Sequence, residues 1–337
     1  MKVKRLIIFA CVPILLLAPA CLRQKIRLMP EREAATVDAQ NVQFIGRYDA
    51  YTSAVVFVED YAYIGGLMRL LIWDVSDSSQ PVFVSRLDII RDNIPNLVVV
   101  ENFVYIANES SGLAIVDISN SKRPTELALY DTPGKAIDVA VTETYAYVAD
   151  GESGLRVVDV SDPKHPVEVG FYDTPGNAQS VAARGEHAYV ADGESGLRIV
   201  DVSDPKRPVE VGFYDTPGNA QSVAVTETYA YIADGESGLR VVDVSDPKRP
   251  VEVGFYDTPG KAYDVVVEER YAYIADWNSL LILDVSNPAG PTKAGFYTIT
   301  ATAVAVTGDI AYTTGGYTGL AILRFEPSAV ACPSPPR

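Results

Sequence analysis

Short runs of alternating apolar and polar residues, separated by turn residues, repeat along most of this chain. In the unit over residues 136–172, four such runs cover 136–141, 145–149, 155–160 and 167–172. Alternation with a period of two residues is typical of β-strands, and the Asp, Gly, Pro and Ser residues between the runs are typical of turns. No segment shows a sustained helical spacing of apolar positions. The pattern therefore predicts an all-β fold.

The unit recurs at a fixed interval along the chain. Residues 173–214 and 215–256 differ at only seven of 42 positions. A period of about 40 residues with four strands in each unit is typical of the blade of a β-propeller. Tyr-Ala-Tyr or a close variant marks every unit, with its second tyrosine at Tyr63, Tyr105, Tyr147, Tyr189, Tyr231, Tyr273 and Tyr312. The sequence therefore predicts a seven-bladed β-propeller of four-stranded blades.

The two ends of the repeat region complement each other. The seventh unit, residues 301–325, lacks a fourth strand, whereas residues 44–49 match the fourth strand of the other units. Pairing between the two would remove the unpaired strand edges that invite aggregation. We therefore predict a propeller domain over residues 42–325, closed by strand 42–48 pairing with the last blade.

The first residues have the organisation of an export signal. Lys2, Lys4 and Arg5 are basic, residues 6–17 form an apolar run too short to span a bilayer, and Ala18-Pro19-Ala20 is a small-residue cleavage signal. We predict a signal peptide over residues 1–20. A cleaved signal peptide places the mature protein outside the cytoplasm, whether or not the new N-terminus is lipidated.

Cys21 follows the cleavage signal directly. Residues 17–21, Leu-Ala-Pro-Ala-Cys, resemble the lipobox of bacterial lipoproteins, in which the cysteine is acylated. The resemblance implies lipidation of Cys21, a tether over residues 21–41, and anchoring to a bacterial membrane, with the outer membrane or the cell surface favoured. The alternative is plain secretion after cleavage behind Ala20.

The charge of the chain restricts its partners. The formal net charge is −16, which disfavours nucleic acid and anionic lipid and leaves cations or basic partners. The three cysteines do not predict a disulfide, because Cys11 leaves with the signal, Cys21 is the lipidation site and Cys332 lies in the Pro-rich tail 326–337. We expect this tail to be disordered and the protein to be a monomer without a cofactor.

The third strand of most units carries a motif of the form Leu-x-(Val/Ile/Leu)-Val-Asp. It occurs at residues 113–117, 155–159, 197–201 and 239–243, with Leu for Val in the copy at 280–284. The motif resembles that of the LVIVD-repeat family of bacterial and archaeal propeller proteins. The resemblance implies the propeller fold, and many members are exported or surface-attached, but it implies no catalytic residue and no substrate. We expect the aspartate of each copy to accept backbone N–H bonds from a neighbouring turn.

Acidic residues concentrate in the loops of one predicted face. The loops that join second to third strands, Ala-Asp-Gly-Glu-Ser-Gly, and the segments that lead to the next blade, Tyr-Asp-Thr-Pro-Gly, share one rim of a propeller. We expect the arginine that follows each loop (Arg156 in the third unit) to pair with nearby glutamates. The candidate binding rim consists of Asp150, Glu152, Asp173, Asp192, Glu194, Asp215, Asp234, Glu236 and Asp257.

Carboxylates on a rim also offer oxygen ligands for Ca²⁺. However, Asp-Gly-Glu-Ser lacks the spacing of a calcium-binding loop, and Asp and Ser in turns commonly bond their own backbone. The opposite rim carries Ser-Asp-Pro-Lys-Arg-Pro turns and is partly basic. We therefore predict no metal ligands, with Ca²⁺ binding by the rim as the alternative.

Catalytic motifs are close to absent from the sequence. His165 and His187 replace other residue types at repeat positions, and Gly-Glu-Ser-Gly is not a nucleophile elbow. We therefore name no catalytic residue. Our hypothesis is a non-enzymatic surface or periplasmic module that binds a protein or glycan through the repeated acidic loops. The alternative is a propeller hydrolase or lyase that acts on a glycan with a few rim carboxylates.

Overall fold

The alternating runs of the sequence fold into short antiparallel strands. The computed structural model describes residues 38–48, 51–77 and 80–327, and within these ranges it contains β-strands and no α-helix. The strands, in chain order, are β1 (Ala39–Gln40), β2 (Val42–Tyr48), β3 (Ala54–Val58), β4 (Tyr61–Asp74), β5 (Val82–Asn93), β6 (Asn96–Val100), β7 (Phe103–Ala107), β8 (Leu113–Asp117), β9 (Thr125–Tyr130), β10 (Asp138–Thr142), β11 (Tyr145–Ala149), β12 (Leu155–Asp159), β13 (Val167–Tyr172), β14 (Ser180–Arg184), β15 (His187–Ala191), β16 (Leu197–Asp201), β17 (Val209–Tyr214), β18 (Ser222–Val225), β19 (Tyr229–Ala233), β20 (Leu239–Asp243), β21 (Val251–Tyr256), β22 (Asp264–Glu268), β23 (Tyr271–Ala275), β24 (Trp277–Asp284), β25 (Thr292–Ala301), β26 (Ala303–Thr307), β27 (Ile310–Thr314) and β28 (Leu320–Phe325).

The strands form seven sheets, which are the blades. Blades 2 to 5 are β6–β9, β10–β13, β14–β17 and β18–β21, each paired in sequential order. In blade 1, β4 runs through the positions of both the second and third strands, pairing with β3 at its start and with β5 at its end. The first strand of every blade contacts the first strands of both neighbours, and β26 contacts β3. This closed ring confirms the predicted seven-bladed, all-β propeller.

The predicted closing strand is also confirmed. Blade 7 consists of β26, β27, β28 and β2, with β2 antiparallel to β28. Val42 lies opposite Phe325 and Tyr48 lies opposite Leu320. The N-terminal strand therefore completes the last blade and joins the two ends of the repeat region.

Residues 39–40 add one unexpected feature. They form β1, which pairs with β25 and gives blade 6 a fifth strand. The predicted tether 21–41 therefore includes residues that belong to a sheet. The predicted signal peptide, Cys21, the earlier part of the tether and residues 328–337 lie outside the described residues.

The apolar core lies between neighbouring blades. Tyr105, Leu113 and Ile115 of blade 2 pack against Val139 and Val148 of blade 3 in one such cluster. The alternate residues of the same blade 2 strands face the cluster shared with blade 1. Both faces of each sheet are therefore buried, and each blade is stabilised chiefly by its two neighbours.

Candidate functional site: the loop face

Two sets of connections meet on one face of the propeller, which we call the loop face. The loop at 150–154 joins β11 to β12, and Gly151 pairs with Ala178 of the segment that leads to blade 4. The same pairing joins Gly193 to Ala220 and Gly235 to Ala262. The acidic loops and the linking segments therefore share a face, as the sequence predicted. We call the opposite face, formed by the other hairpin turns, the turn face.

The first aspartate of each acidic loop is buried. Asp150 is fully inaccessible to solvent; Oδ1 accepts a hydrogen bond from the Thr132 hydroxyl at 2.6 Å, and Oδ2 accepts one from the Gly134 N–H at 2.7 Å. Thr132 and Gly134 belong to the segment that enters the blade. The carboxylate thus connects two consecutive blades on the loop face.

Asp192 and Asp234 repeat this geometry. Both are fully buried, and both accept one threonine hydroxyl and one glycine N–H from the preceding linking segment. The prediction that Asp150, Asp192 and Asp234 belong to an exposed binding rim is therefore wrong. Their side chains turn inward because the threonine and glycine of the linking segment offer hydrogen-bond donors there.

Burial raises the pKa of Asp150, and the hydrogen bonds from Thr132 and Gly134 act in the opposite direction. The Arg156 guanidinium also lowers this pKa, with its Nε 3.7 Å from Asp150 Oδ2. Both oxygens of the carboxylate accept hydrogen bonds within the protein. The chemistry of this group is therefore that of a structural bond between blades.

An arginine at the start of the third strand organises the surface beside each loop. Arg156 lies 3.4 Å from Asp173 and 3.8 Å from Glu168, and its guanidinium covers one side of the Phe171 ring at 4.7 Å. The Tyr130 hydroxyl of the preceding blade donates to Glu168 at 3.3 Å. The expected pairing with a glutamate therefore occurs, but the partner lies on β13 and not in the loop.

The same arginine group recurs in blades 4 and 5. Arg198 lies over Phe213 and Arg240 over Phe255, at 4.7 and 4.8 Å. Each phenylalanine is nevertheless about half exposed, at 51 and 52 %. Sequence reasoning missed these rings, although their recurrence in the fourth strand of four consecutive repeats, blades 3 to 6, was a usable signal.

Six of the nine predicted rim residues do lie at the surface. We call them the acidic arc; they are Glu152, Asp173, Glu194, Asp215, Glu236 and Asp257. The aspartate side chains are 66–74 % exposed even though each pairs with an arginine. The acidic arc spans blades 3 to 5 and presents two carboxylates per blade to solvent.

The loop face is different over blades 6, 7 and 1. Trp277 and Tyr317 are 48 and 87 % exposed, and their rings contact Tyr263 and Tyr51 respectively. Together with exposed Met68 they form a surface that we call the aromatic arc. The loops here lack the acidic pair of the central blades.

The ring encloses a central cavity of about 640 Å³ whose wall consists of the first strands. A belt of polar side chains runs around this wall, with one side chain from each of blades 2 to 6. Asp138 accepts hydrogen bonds from Asn96 Nδ2 at 2.6 Å and from the Val181 N–H at 2.9 Å. Asp264 accepts from the Ser222 hydroxyl and from the Val304 N–H. The belt joins neighbouring first strands and was not recognised in the sequence.

Two further findings bear on the predicted chemistry. Across residues 38–48, 51–77 and 80–327, no group of three or more His, Cys, Asp or Glu side chains is arranged to hold a metal ion. In the same part of the chain no helix is long and apolar enough to cross a membrane.

The fold is shared with solved propellers of low sequence identity. A computationally designed protein, Ika8, has a TM-score of 0.62 at 7 % identity, covering 83 % of this chain and 98 % of its own. The structure of U3-55K has a TM-score of 0.70 at 10 % identity, covering 84 and 98 %. The β-propeller domain of Cps50 (Swd1) from Myceliophteria thermophila has a TM-score of 0.70 at 13 % identity, covering 84 and 99 %. These similarities show the fold alone.

The comparison with family models addresses the repeat itself. The LVIVD repeat model matches six times, at residues 49–89, 94–132, 133–174, 175–216, 217–258 and 259–299. A search of curated proteins by sequence finds no match. The matched segments cover most of the propeller and include the motif-bearing third strands of blades 2 to 6, so the chain belongs to the LVIVD repeat family.

Proposed function

We propose that this protein is a non-enzymatic interaction module whose loop face binds a protein or glycan partner. A propeller assembled from LVIVD repeats favours a protein-interaction module in general terms. The finer proposal rests on one observation. Blades 3, 4 and 5 present the same exposed group, a glutamate, an aspartate and a half-exposed phenylalanine ring, beside an arginine whose side chain is only about a tenth exposed.

Repetition of this kind suits contact with a partner. Three equivalent groups on one face increase the number of simultaneous contacts, and each adds to the affinity. A catalytic centre instead needs different residues in distinct roles around one reacting atom. No observation on the loop face favours the glycan hydrolase or lyase over the module, so that alternative stays a prediction.

The proposal is tested by separating the two faces of the same blades. One variant neutralises three exposed glutamates of the loop face, Glu152→Gln, Glu194→Gln and Glu236→Gln. Its control neutralises three exposed glutamates in the turns of the turn face, Glu143→Gln, Glu186→Gln and Glu227→Gln. Both variants carry the same change in charge on blades 3 to 5, so only the position of the carboxylates differs.

The assay is partner capture with the mature chain, followed by measurement of Kd for each captured component. We expect the loop-face variant to bind about tenfold or more weakly, and the turn-face variant to bind like the wild type. Higher ionic strength should weaken wild-type binding, because solvent-exposed charges are screened. Equal binding by the two variants would show that the glutamates of the loop face do not contact the partner.

A further inference from the structure

Trp277 occupies a loop position that is glycine in blades 4 and 5. The repeat aligns it with Gly193 and Gly235, whose φ angles are +61 and +60°. Trp277 has a φ of +47° in the same left-handed region, which is unfavourable for a bulky side chain. Its side chain is 48 % exposed, so little core packing offsets the strain. Backbone strain of this kind is concentrated at functional sites.

The Trp277 ring contacts a second aromatic ring on the loop face. Its ring centroid lies 5.5 Å from that of Tyr263, which lines the central cavity. Trp277 pairs through its backbone with Ala301, and the adjoining Thr302 bonds to Thr314 beside the next loop. That loop carries Tyr317, which contacts Tyr51 at 5.1 Å. The two ring pairs therefore lie on loops of neighbouring blades on the same face.

The acidic arc lies on the same face, over blades 3 to 5. An occupant that spans the two arcs meets exposed aromatic rings at one end and six carboxylates at the other. A neutral glycan gains no charge attraction from the acidic arc, and an anionic glycan or lipid is repelled by it. A cationic segment with an apolar side chain is complementary to both arcs. Trp and Tyr are also enriched among the residues that contribute most of the binding energy at protein interfaces.

We propose that the loop face binds a protein segment in which an aromatic or aliphatic side chain is flanked by lysine or arginine. The apolar side chain packs on the aromatic arc around Trp277 and Tyr317, and the cations lie against the acidic arc. This proposal rests on the proposed function, since it uses the same face, and it specifies the partner as a basic protein segment.

The test uses the full chain and defined peptides. The probe is a fluorescein-labelled peptide with three lysines joined to one tryptophan by a Gly-Ser linker, and binding is followed by fluorescence anisotropy. One control peptide has serine in place of the tryptophan, and another has glutamates in place of the lysines. The protein variants are Trp277→Ser with Tyr317→Ser, and an apolar control distant from the arc, Val167→Ser with Val209→Ser, whose valines are 56 and 57 % exposed.

We expect the tryptophan peptide to bind wild type about tenfold more tightly than the serine peptide, and the glutamate peptide to bind weakest. In the Trp277→Ser, Tyr317→Ser variant the tryptophan and serine peptides should bind equally, because the protein side chains on which the peptide tryptophan packs are then absent. The valine variant should retain the tenfold ratio. Equal binding of the two lysine peptides to wild type overturns the proposal, as does an unchanged ratio in the aromatic variant.

Other occupants give other results, each of which overturns the proposal. Binding of chitohexaose or cellohexaose that requires Trp277 and Tyr317, without binding of the lysine peptides, identifies a saccharide and leaves the proposed function standing. A dimer seen by analytical ultracentrifugation and lost in the aromatic variant identifies a second copy of the chain. Captured partners that are insensitive to substitutions in both arcs overturn the proposed function as well.

Discussion

Replacing Asp192 by alanine should destabilise the propeller without altering its exposed charges. The carboxylate accepts the Thr174 hydroxyl at 2.6 Å and the Gly176 N–H at 2.7 Å, and it is fully buried. Hydrogen bonds to charged groups contribute about 1.5–3 kcal/mol each, and two of them are lost. Arg198 keeps its contact with Asp215 at 2.9 Å, so the loss of its contact with Asp192 at 3.9 Å adds little.

We therefore expect Asp192→Ala to lower the free energy of unfolding by about 3–5 kcal/mol. Asp192→Asn retains one acceptor oxygen and should cost about 2 kcal/mol. Whole domains are stable by only about 5–15 kcal/mol, so the same change at Asp150, Asp192 and Asp234 together should prevent folding. A combined replacement of these aspartates thus reports on stability and not on binding.

Urea unfolding followed by circular dichroism measures this effect, with Glu194→Ala as the matched control. Glu194 lies in the same loop, two residues after Asp192, but is exposed, and its replacement should change the free energy of unfolding by less than about 0.5 kcal/mol. The reasoning is refuted if Asp192→Ala unfolds within about 0.5 kcal/mol of the wild type, or if Glu194→Ala is the more destabilised variant.

Three further predictions follow from individual contacts. A chain that begins at residue 42 should melt close to the full chain, whereas one that begins at residue 49 should melt well below it, because β28 then loses its partner β2. Burial, followed by the hydrogen bond to Glu252, raises the pKa of Tyr214 to about 12. The stability advantage of wild type over Tyr214→Phe should therefore be complete below pH 10 and be lost as the pH rises through 12, as urea midpoints will show; an advantage that is constant with pH contradicts this. Gly196→Ala should lower the melting temperature far more than Gly185→Ala. Both glycines have a positive φ, but a Cβ at residue 196 would overlap a backbone carbonyl, whereas no atom lies within 4 Å of a Cβ at residue 185. Equal losses would show that backbone strain alone determines the loss of stability.

The architecture could be predicted from the sequence because it depends on the length of the repeat and on the alternation of apolar and polar residues. Seven copies of an aromatic element specify the number of blades, and the unmatched strand at residues 44–49 specifies the closure. The aspartate of the third-strand motif was also predicted correctly: Asp159 Oδ1 accepts the Ser161 N–H at 2.9 Å. These features are local, or follow from counting, so no knowledge of packing is needed.

The sequence did not show in the same way which acidic residues of each loop are buried and which are exposed. Asp150 and Glu152 are two residues apart and equally polar, yet one is buried and the other exposed. The difference depends on Thr132, which lies 18 residues earlier and reaches Asp150 only when the preceding blade packs against its neighbour. The recurrence of this threonine at 174 and 216 was the available signal. Likewise, the belt around Asp138 depends on contacts between the first strands of consecutive repeats.

The central claim is that one acidic loop contains both a scaffold residue and a contact residue, and Asp192 and Glu194 test it most directly. The measurement is the Kd of a captured partner for the folded fraction of Asp192→Asn and of Glu194→Gln, alongside the free energy of unfolding of each. We expect Asp192→Asn to be less stable but to bind with wild-type affinity, and Glu194→Gln to be as stable as wild type but to bind more weakly. Weaker binding by folded Asp192→Asn together with unchanged binding by Glu194→Gln would contradict the account.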